Sequence, residues 1–137
     1  YHGVRFYNDS IASSPSRTIA GLRSFKEKVI LIAGGYDKHI PFDVLGPEVV
    51  EHVKLLVLCG ATAGKIRAAV EQAPDYRPGH PEILDVTPFQ RAVETARDRA
   101  VPGDVVTLSP ACAAFDQFKN FMERGKTFKA IVNSWAE

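Results

Sequence analysis

The chain has 137 residues, which suits one domain built around one hydrophobic core. Hydrophobic residues make up 45% of it, and 17 Lys and Arg nearly balance 16 Asp and Glu. This even, interspersed charge gives no electrostatic footprint for nucleic acid. No apolar run approaches the ~20 residues of a membrane-spanning helix, and no signal-peptide pattern opens the sequence. We therefore expect a cytoplasmic protein that binds neither nucleic acid nor membrane.

Short apolar runs alternate along the chain with segments of helical spacing. The apolar runs predict strands at residues 4–7, 29–33, 55–59, 83–86 and 105–108. The helical spacing predicts helices at residues 15–25, part of 42–53, 63–72, 88–100 and 115–135. We expect Gly46-Pro47 to break or restart the second helix and the last helix to be interrupted near Arg124-Gly125.

Several helix starts carry candidate capping residues. Ser14 precedes Pro15, and a proline at the first helical position costs no hydrogen bond. Thr62 is a candidate cap for the helix at 63–72, and residues 87–90 (TPFQ) fit a capping box. The strand at 105–108 is expected to turn directly into a helix through Ser109-Pro110. The exposed N–H groups of such a helix start attract anions.

Alternating strands and helices with continuous apolar strands predict an α/β fold with a mostly parallel sheet of about five or six strands. Right-handed crossovers place the loops that follow the strands at one edge of the sheet. Ligands of open α/β sheets bind at that edge. We expect three loops to meet there: residues 8–14, 34–39 and 109–115.

Two of these loops contain candidate ligand-binding side chains. Lys38 follows the turn at Gly34-Gly35, where its ammonium could pair with a carboxylate or phosphate. On composition alone, a solvated loop lysine beside Asp37 is the favoured interpretation, because most lysines are merely exposed. Asp9 follows the first strand, where a carboxylate could hold a ribose hydroxyl, although Asn, Asp and Ser are also ordinary loop residues.

Residues 60–65 (GATAGK) look like a phosphate-binding loop, but one residue is missing between the glycines. Ile66 also replaces the Ser or Thr that would hold magnesium. The segment is therefore interpreted as a strand-to-helix turn, and we do not expect this chain to bind ATP tightly by itself.

Ser109 and Cys112 raise the question of a nucleophile, which would need an adjacent base. The favoured interpretation is structural, with Ser109 as a helix cap and Cys112 as a small buried residue. Cys59 and Cys112 are expected to be reduced thiols, with a disulfide between them as the alternative. The four histidines are scattered, so we expect no metal site built from them.

Four segments together resemble the C-terminal domain of the Mur ligases that add D-glutamate, the MurD family: NDSIASSP, VILIAGGYDK, GDVVTLSPACAAFDQFKNFMERG and TFKAIV. The resemblance covers essentially the whole chain, and residues 108–125 are its most specific part. Sister ligases that add alanine, a diamino acid or a dipeptide are less similar. They carry a His-rich first motif or an Asn-Pro-Arg motif, and neither occurs in this sequence.

The resemblance implies a Rossmann-like three-layer sandwich that is one domain, residues 1–137, of a three-domain ATP-dependent ligase of peptidoglycan synthesis. Family members make an acyl phosphate from ATP and the carboxylate of UDP-N-acetylmuramoyl-L-alanine, which the amine of D-glutamate then attacks. The third domain closes over the site and supplies orientation and water exclusion. ATP and Mg²⁺ would be bound mainly by the central domain, so we expect this domain to be inactive alone. We also expect it to be a monomer.

The resemblance also assigns roles to individual residues. Lys38 matches the lysine that pairs with a glutamate carboxylate, and Ser13 stands where the family usually has a threonine hydroxyl on the same ligand. Phe115 and Phe121 fall at positions that contact D-glutamate, partly through backbone N–H groups. Asp9 matches the aspartate that touches the nucleotide ribose.

Two positions depart from the family pattern. Ile11 stands where lysine is often found, and Ala114, a site-lining position, where serine is often found. One lost charged contact is worth ~2 kcal/mol, so the affinity for glutamate would be weaker or carried by other residues. The alternative function is a stand-alone small-ligand or nucleotide-binding module, since related sheets serve many functions.

Overall fold

The computed structural model describes residues 3–36, 39, 41–113 and 118–135. Strands and helices alternate along the described chain as the apolar pattern predicts. The elements are β1 (Arg5–Asn8), α1 (Pro15–Arg23), β2 (Val29–Ala33), α2 (Leu45–His52), β3 (Val53–Leu58), α3 (Ala63–Glu71), β4 (Glu82–Asp85), α4 (Phe89–Arg99), β5 (Val105–Leu108) and α5 (Phe121–Asn133).

The five described strands form one sheet in the order β1-β5-β2-β3-β4, and every neighbouring pair is parallel. Helices cover both faces of this sheet. Because side chains alternate along a strand, β2 sends Val29 and Leu31 into the core formed with α1, α2 and α3. Ile30 and Ile32 of the same strand enter the opposite core, formed with α4 and α5. The predicted α/β fold, a Rossmann-like three-layer sandwich, is confirmed.

The structure corrects the predicted cap of the first helix and the predicted break in the second. Helix α1 begins at Pro15 as expected, but the Ser14 hydroxyl forms no capping bond and lies 3.3 Å from the Ser16 hydroxyl. Gly46 and Pro47 do not break α2, because they lie in its first turn. A proline there removes no intrahelical hydrogen bond.

The capping box predicted at residues 87–90 is wrong. Helix α4 begins at Phe89, so Pro88 occupies the N-cap position and forms no side-chain cap. Thr62 precedes α3, but its hydroxyl accepts a hydrogen bond from the backbone N–H of Gly35 instead of capping the helix. For Thr62 the cause is a tertiary contact, which takes up the hydroxyl that the local sequence would assign to the helix.

The last helix also starts later than the sequence predicts. Helix α5 begins at Phe121, where the Asn120 side chain accepts from the N–H of Glu123 at 2.9 Å. It then continues through Arg124-Gly125 without interruption. The described residues directly after β5, 109–113, are not helical, so the expected helix start at Ser109-Pro110 is wrong.

Within the described ranges, no helix combines the length and the apolar character needed to cross a membrane.

Candidate functional site

The ends of β1, β5 and β2 are neighbours in the sheet, and their following loops are hydrogen bonded to one another. The N–H of Gly34 donates to the carbonyl of Pro110 at 2.9 Å, and the N–H of Ala111 donates to the carbonyl of Ala12 at 2.9 Å. The predicted convergence of the three loops is therefore confirmed for their described residues.

Close backbone approach explains the glycine pair at the end of β2. A Cβ atom at Gly34 would lie 2.0 Å from the carbonyl oxygen of Cys59, and one at Gly35 would lie 2.5 Å from that of Ala113. Ala111, on the facing loop, is buried with φ at 62°, a left-handed conformation that is rare outside glycine. Backbone strain of this kind concentrates at functional sites.

Asp9 belongs to a short hydrogen-bonded chain that begins in α1. The Ser109 hydroxyl donates to the Asp9 carboxylate at 2.8 Å and lies 3.0 Å from the hydroxyl of Thr18. Thr18 in turn lies 3.2 Å from the Ser109 carbonyl, to which it donates. Ser109 is only 1% exposed, and its hydroxyl holds the Asp9 carboxylate in place. Because residues 110–113, which directly follow it, are not helical, the predicted role of Ser109 as a helix cap is wrong.

Arg124 joins two of the three loops and was missed by the sequence analysis. Its guanidinium donates to the carbonyls of Ser10 and Cys112, at 2.7 and 2.8 Å, and to the Ser10 hydroxyl at 3.0 Å. The residue is 2% exposed. A signal was present in the sequence, because Arg124 shares one helical face with the buried Phe128 and Ile131, at spacings of four and seven.

The structure describes two of the predicted contacts, Ser13 in the loop after β1 and Phe121 at the start of α5. The Ser13 hydroxyl is half-buried and lies 3.4 Å from Arg124 Nη2. Phe121 is the first residue of α5 and is 38% exposed. It lines a groove of about 320 Å³ whose walls also include Ile11 and Met122, with Lys126 and Lys129 beside them.

Three other predicted contacts, Lys38, Ala114 and Phe115, lie outside the described residues. The described residues that precede these segments are Tyr36 and Ala113. They are hydrogen bonded to each other, since the N–H of Tyr36 donates to the carbonyl of Ala113 at 2.8 Å. The roles of all the predicted site residues remain predictions.

Cys112 is buried and its sulfur lies 3.2 Å from the Thr62 hydroxyl. It is thus the small buried residue that the sequence favoured. Neither Cys112 nor Cys59, both of which the structure describes, takes part in a disulfide. Residues 60–62 form the turn between β3 and α3, and residues 63–65 are the first residues of α3, which confirms the interpretation of residues 60–65 as a strand-to-helix connection.

One carboxylate–histidine cluster occurs among the described residues, formed by Glu48, Glu51 and His52 on α2. Both oxygens of Glu48 already accept hydrogen bonds from Arg23, at 2.8 and 2.9 Å. The cluster lies where α2 leads into the start of β3, at the opposite edge of the sheet from the three loops. It is therefore not part of the candidate site.

Comparison with protein families finds a match between residues 1–112 and the family described as Mur ligase, glutamate ligase domain. The chain is 55% identical over 133 residues to the UDP-N-acetylmuramoylalanine--D-glutamate ligase of Clostridium botulinum (strain Okra / Type B1). It is 59% identical over 136 residues to the enzyme of that name from Acetivibrio thermocellus. Each alignment covers 97% of this chain, which spans 29% of the length of each relative.

Two solved structures share the fold at low sequence identity. One is a domain attributed to a UDP-N-acetylmuramate:L-alanyl-gamma-D-glutamyl-medo-diaminopimelate ligase from Haemophilus ducreyi 35000HP. It is 14% identical, with a TM-score of 0.58 over 95% of this chain and 93% of that one. The other is a UDP-N-acetylmuramoyl-L-alanyl-D-glutamate--2,6-diaminopimelate ligase, 16% identical with a TM-score of 0.56. That alignment covers 77% of this chain and 23% of the other.

Proposed function

This chain belongs to the Mur ligase family as a glutamate ligase domain, and on that premise we propose that it is the amino-acid-binding domain of an ATP-dependent ligase that adds D-glutamate to UDP-N-acetylmuramoyl-L-alanine. The observation that carries the proposal is the identity of 55% and 59% to two enzymes named for that reaction. The alternative, a stand-alone binding module, is not favoured, because these relatives contain the same domain within much longer chains.

The junction of the three loops supports a role in holding a small polar ligand. Lys38 supplies a cation for a carboxylate of D-glutamate, while Ser13 contacts the same ligand from the loop after β1 and Phe121 contacts it from the start of α5. Ala114 and Phe115 complete the pocket from the loop after β5. These assignments make the site one of recognition, in which no side chain of this domain forms a covalent intermediate.

Asp9 is proposed to accept a hydrogen bond from the nucleotide ribose. A carboxylate has two oxygens that accept hydrogen bonds, and Ser109 donates to one of them. The connection at residues 60–65 does not match a phosphate-binding loop, because it has one residue too few between its glycines and Ile66 stands where such a loop has Ser or Thr. ATP and Mg²⁺ would therefore be held mainly by the rest of the ligase, where ATP supplies the activating phosphoryl group.

These proposed positions assign different steps of the reaction to this domain and to the rest of the enzyme. The acyl phosphate forms elsewhere in the enzyme, and this domain places the amine of D-glutamate for attack and excludes water from the activated carboxylate. Orientation of this kind accelerates a reaction without any covalent step. We accordingly propose that residues 1–137 are one domain of a monomeric cytoplasmic ligase and form no amide product alone.

Substitution of Lys38 by alanine in the full-length ligase tests the proposed glutamate contact. Loss of one charged hydrogen bond, ~2 kcal/mol, should raise KM for D-glutamate about 30-fold while KM for ATP stays unchanged. Steady-state kinetics with each substrate varied in turn measure both values.

Lys28→Ala is the matched control, because Lys28 is exposed and precedes β2 at the opposite edge of the sheet. It should leave both KM values unchanged. An unchanged KM for D-glutamate in Lys38→Ala would remove Lys38 from the site, and a wild-type enzyme that does not incorporate D-glutamate would refute the proposed reaction.

A further inference from the structure

We propose that Arg124 is a positioning residue whose buried guanidinium clamps the loop after β1 to the loop after β5, and so sets the spacing between the two walls of the amino-acid pocket. The identity of the ligand rests on the proposed function. The clamp itself rests on hydrogen bonds between described residues.

The geometry of the guanidinium fits a bridge between two separate segments. Two of its nitrogens donate to Ser10, Nη2 to the carbonyl at 2.7 Å and Nε to the hydroxyl at 3.0 Å. The third, Nη1, donates to the carbonyl of Cys112 at 2.8 Å. Ser10 and Cys112 belong to the loops that carry the predicted contacts Ser13 and Ala114, one on each side.

The clamp extends to the start of α5. The Ser10 hydroxyl that accepts from Arg124 donates to the carbonyl of Phe121 at 2.6 Å. The Asn8 side-chain amide donates to the carbonyl of Gly125 at 3.0 Å. A Cβ atom at Gly125 would lie 3.2 Å from both the Asn8 amide nitrogen and the Ser10 Cβ. The absence of a side chain at Gly125 thus lets α5 approach the loop closely enough for Arg124 to reach it.

Local helix stability does not account for a cation at this position. Arg124 lies in the first turn of α5, where the helix dipole disfavours positive charge. Its hydrogen bonds to Ser10 and Cys112 run to the loops rather than to α5 itself. The position therefore opposes local helix stability, while the side chain fixes two loops that form the proposed pocket.

The planar fork of arginine is what allows one side chain to reach both loops. Its N–H donors point in fixed, diverging directions, whereas a lysine ammonium concentrates its donors at one point. Arg124→Lys keeps the positive charge and most of the length of the side chain, but it cannot serve Ser10 and Cys112 with the same geometry. This variant separates the role of the clamp from the role of the charge.

Hydrogen exchange in the full-length ligase measures the clamp directly, because the N–H of Ala111 joins the two loops through the carbonyl of Ala12. In Arg124→Lys we expect the Ala111 amide to exchange at least about tenfold faster, while the amide of the core residue Val57 is unchanged. KM for D-glutamate should rise about tenfold or more, while KM for the UDP-sugar substrate stays within about twofold of wild type.

Arg91→Lys provides the same substitution at an exposed position of α4 and should change neither measurement. Ser10→Ala is a milder second variant, which removes the hydroxyl shared by Arg124 and Phe121 and should show smaller changes in the same direction. If Arg124→Lys does not fold, Ser10→Ala decides the question by the same criteria.

An unchanged exchange rate at Ala111 would overturn the clamp. Faster exchange with an unchanged KM for D-glutamate would reduce Arg124 to a structural residue, which also overturns the proposal. The exchange measurement needs no substrate. If the wild-type enzyme failed to add D-glutamate, that result would refute the proposed reaction and leave the exchange data to decide whether the clamp exists.

Discussion

The middle of the sheet and its carboxyl edge are both buried, but different forces hold them. Strand β2 fills the middle with aliphatic side chains that alternate between the two cores. At the edge, small apolar residues are buried together with polar groups that are hydrogen bonded, as in Ser10, Ser109 and Arg124. Aliphatic packing tolerates changes that preserve volume, whereas directional bonds require particular atoms. The edge should therefore control ligand binding, and the middle should control stability.

The largest expected effect is on stability, from Leu31→Ala in the middle of β2. Leu31 is fully buried, so its truncation should lower the free energy of unfolding by about 2–5 kcal/mol through lost transfer free energy and a residual cavity. The urea dependence of hydrogen exchange at the β2 amides in the full-length enzyme reports this free energy.

If the middle of the sheet controls stability and its carboxyl edge controls binding, the folded Leu31→Ala enzyme should keep the wild-type KM for D-glutamate. Val44→Ala is the control, since Val44 is 64% exposed and its truncation should cost less than about 0.5 kcal/mol. A raised KM in Leu31→Ala without a loss of stability would show that the middle and the edge of the sheet are not separable.

Gly21→Ala should have the opposite signature, a change in binding without a loss of stability. A Cβ atom at Gly21 would lie 2.9 Å from the Asp9 carboxylate, which would have to move. Alanine is the better helix former by up to ~1 kcal/mol, so α1 should not be weakened. We expect KM for ATP to rise about fivefold, the equivalent of ~1 kcal/mol, because the proposed ribose contact is displaced.

Gly64→Ala is the matched control for this substitution. Gly64 is also helical, and a Cβ atom there would meet no heavy atom within 4 Å. It should leave KM for ATP unchanged in steady-state assays. If Gly21→Ala also left that KM unchanged, Asp9 would not touch the nucleotide, or its position would not matter.

The sequence predicted the middle of the sheet better than its edge, for a physical reason. Residues 29–33 are an unbroken apolar run that is mostly β-branched, the pattern expected of a strand covered on both faces. By contrast, Arg124-Gly125 looks like a helix interruption, yet it lies inside α5. The bonds from Arg124 to Ser10 join residues 114 positions apart, and no local pattern encodes contacts at that separation.

Among the candidate site residues, too, the sequence predicted some features and missed others. The positions of the three loops follow from the parallel sheet, so their convergence could be predicted from the order of strands and helices alone. The partner of Ser109 could not, because a serine after a strand is equally suited to capping a helix or to bonding a side chain. Only the tertiary structure places the Asp9 carboxylate 2.8 Å from its hydroxyl.

The smallest expected effect lies far from both regions, at the Arg23–Glu48 pair between α1 and α2. The hydrogen bond from Arg23 holds the pKa of the Glu48 carboxyl below its ordinary value. The pair therefore contributes its full stability above that ordinary value, and loses it as the pH falls through the lower, folded-state pKa. The contribution is small because Arg23 is exposed to solvent.

Glu48→Gln should therefore weaken the protein slightly at neutral pH, and the difference from wild type should shrink as the pH falls below the ordinary pKa of glutamate. Urea-dependent exchange of the β2 amides at several pH values measures this difference. Arg23→Gln should give a similar pH dependence, and the double variant should add little further, because most of the contribution of each side chain comes from their shared hydrogen bonds. A difference that grows with acidification would show that the pair does not stabilise the fold. A change in KM for D-glutamate would show that its effect reaches the opposite edge of the sheet.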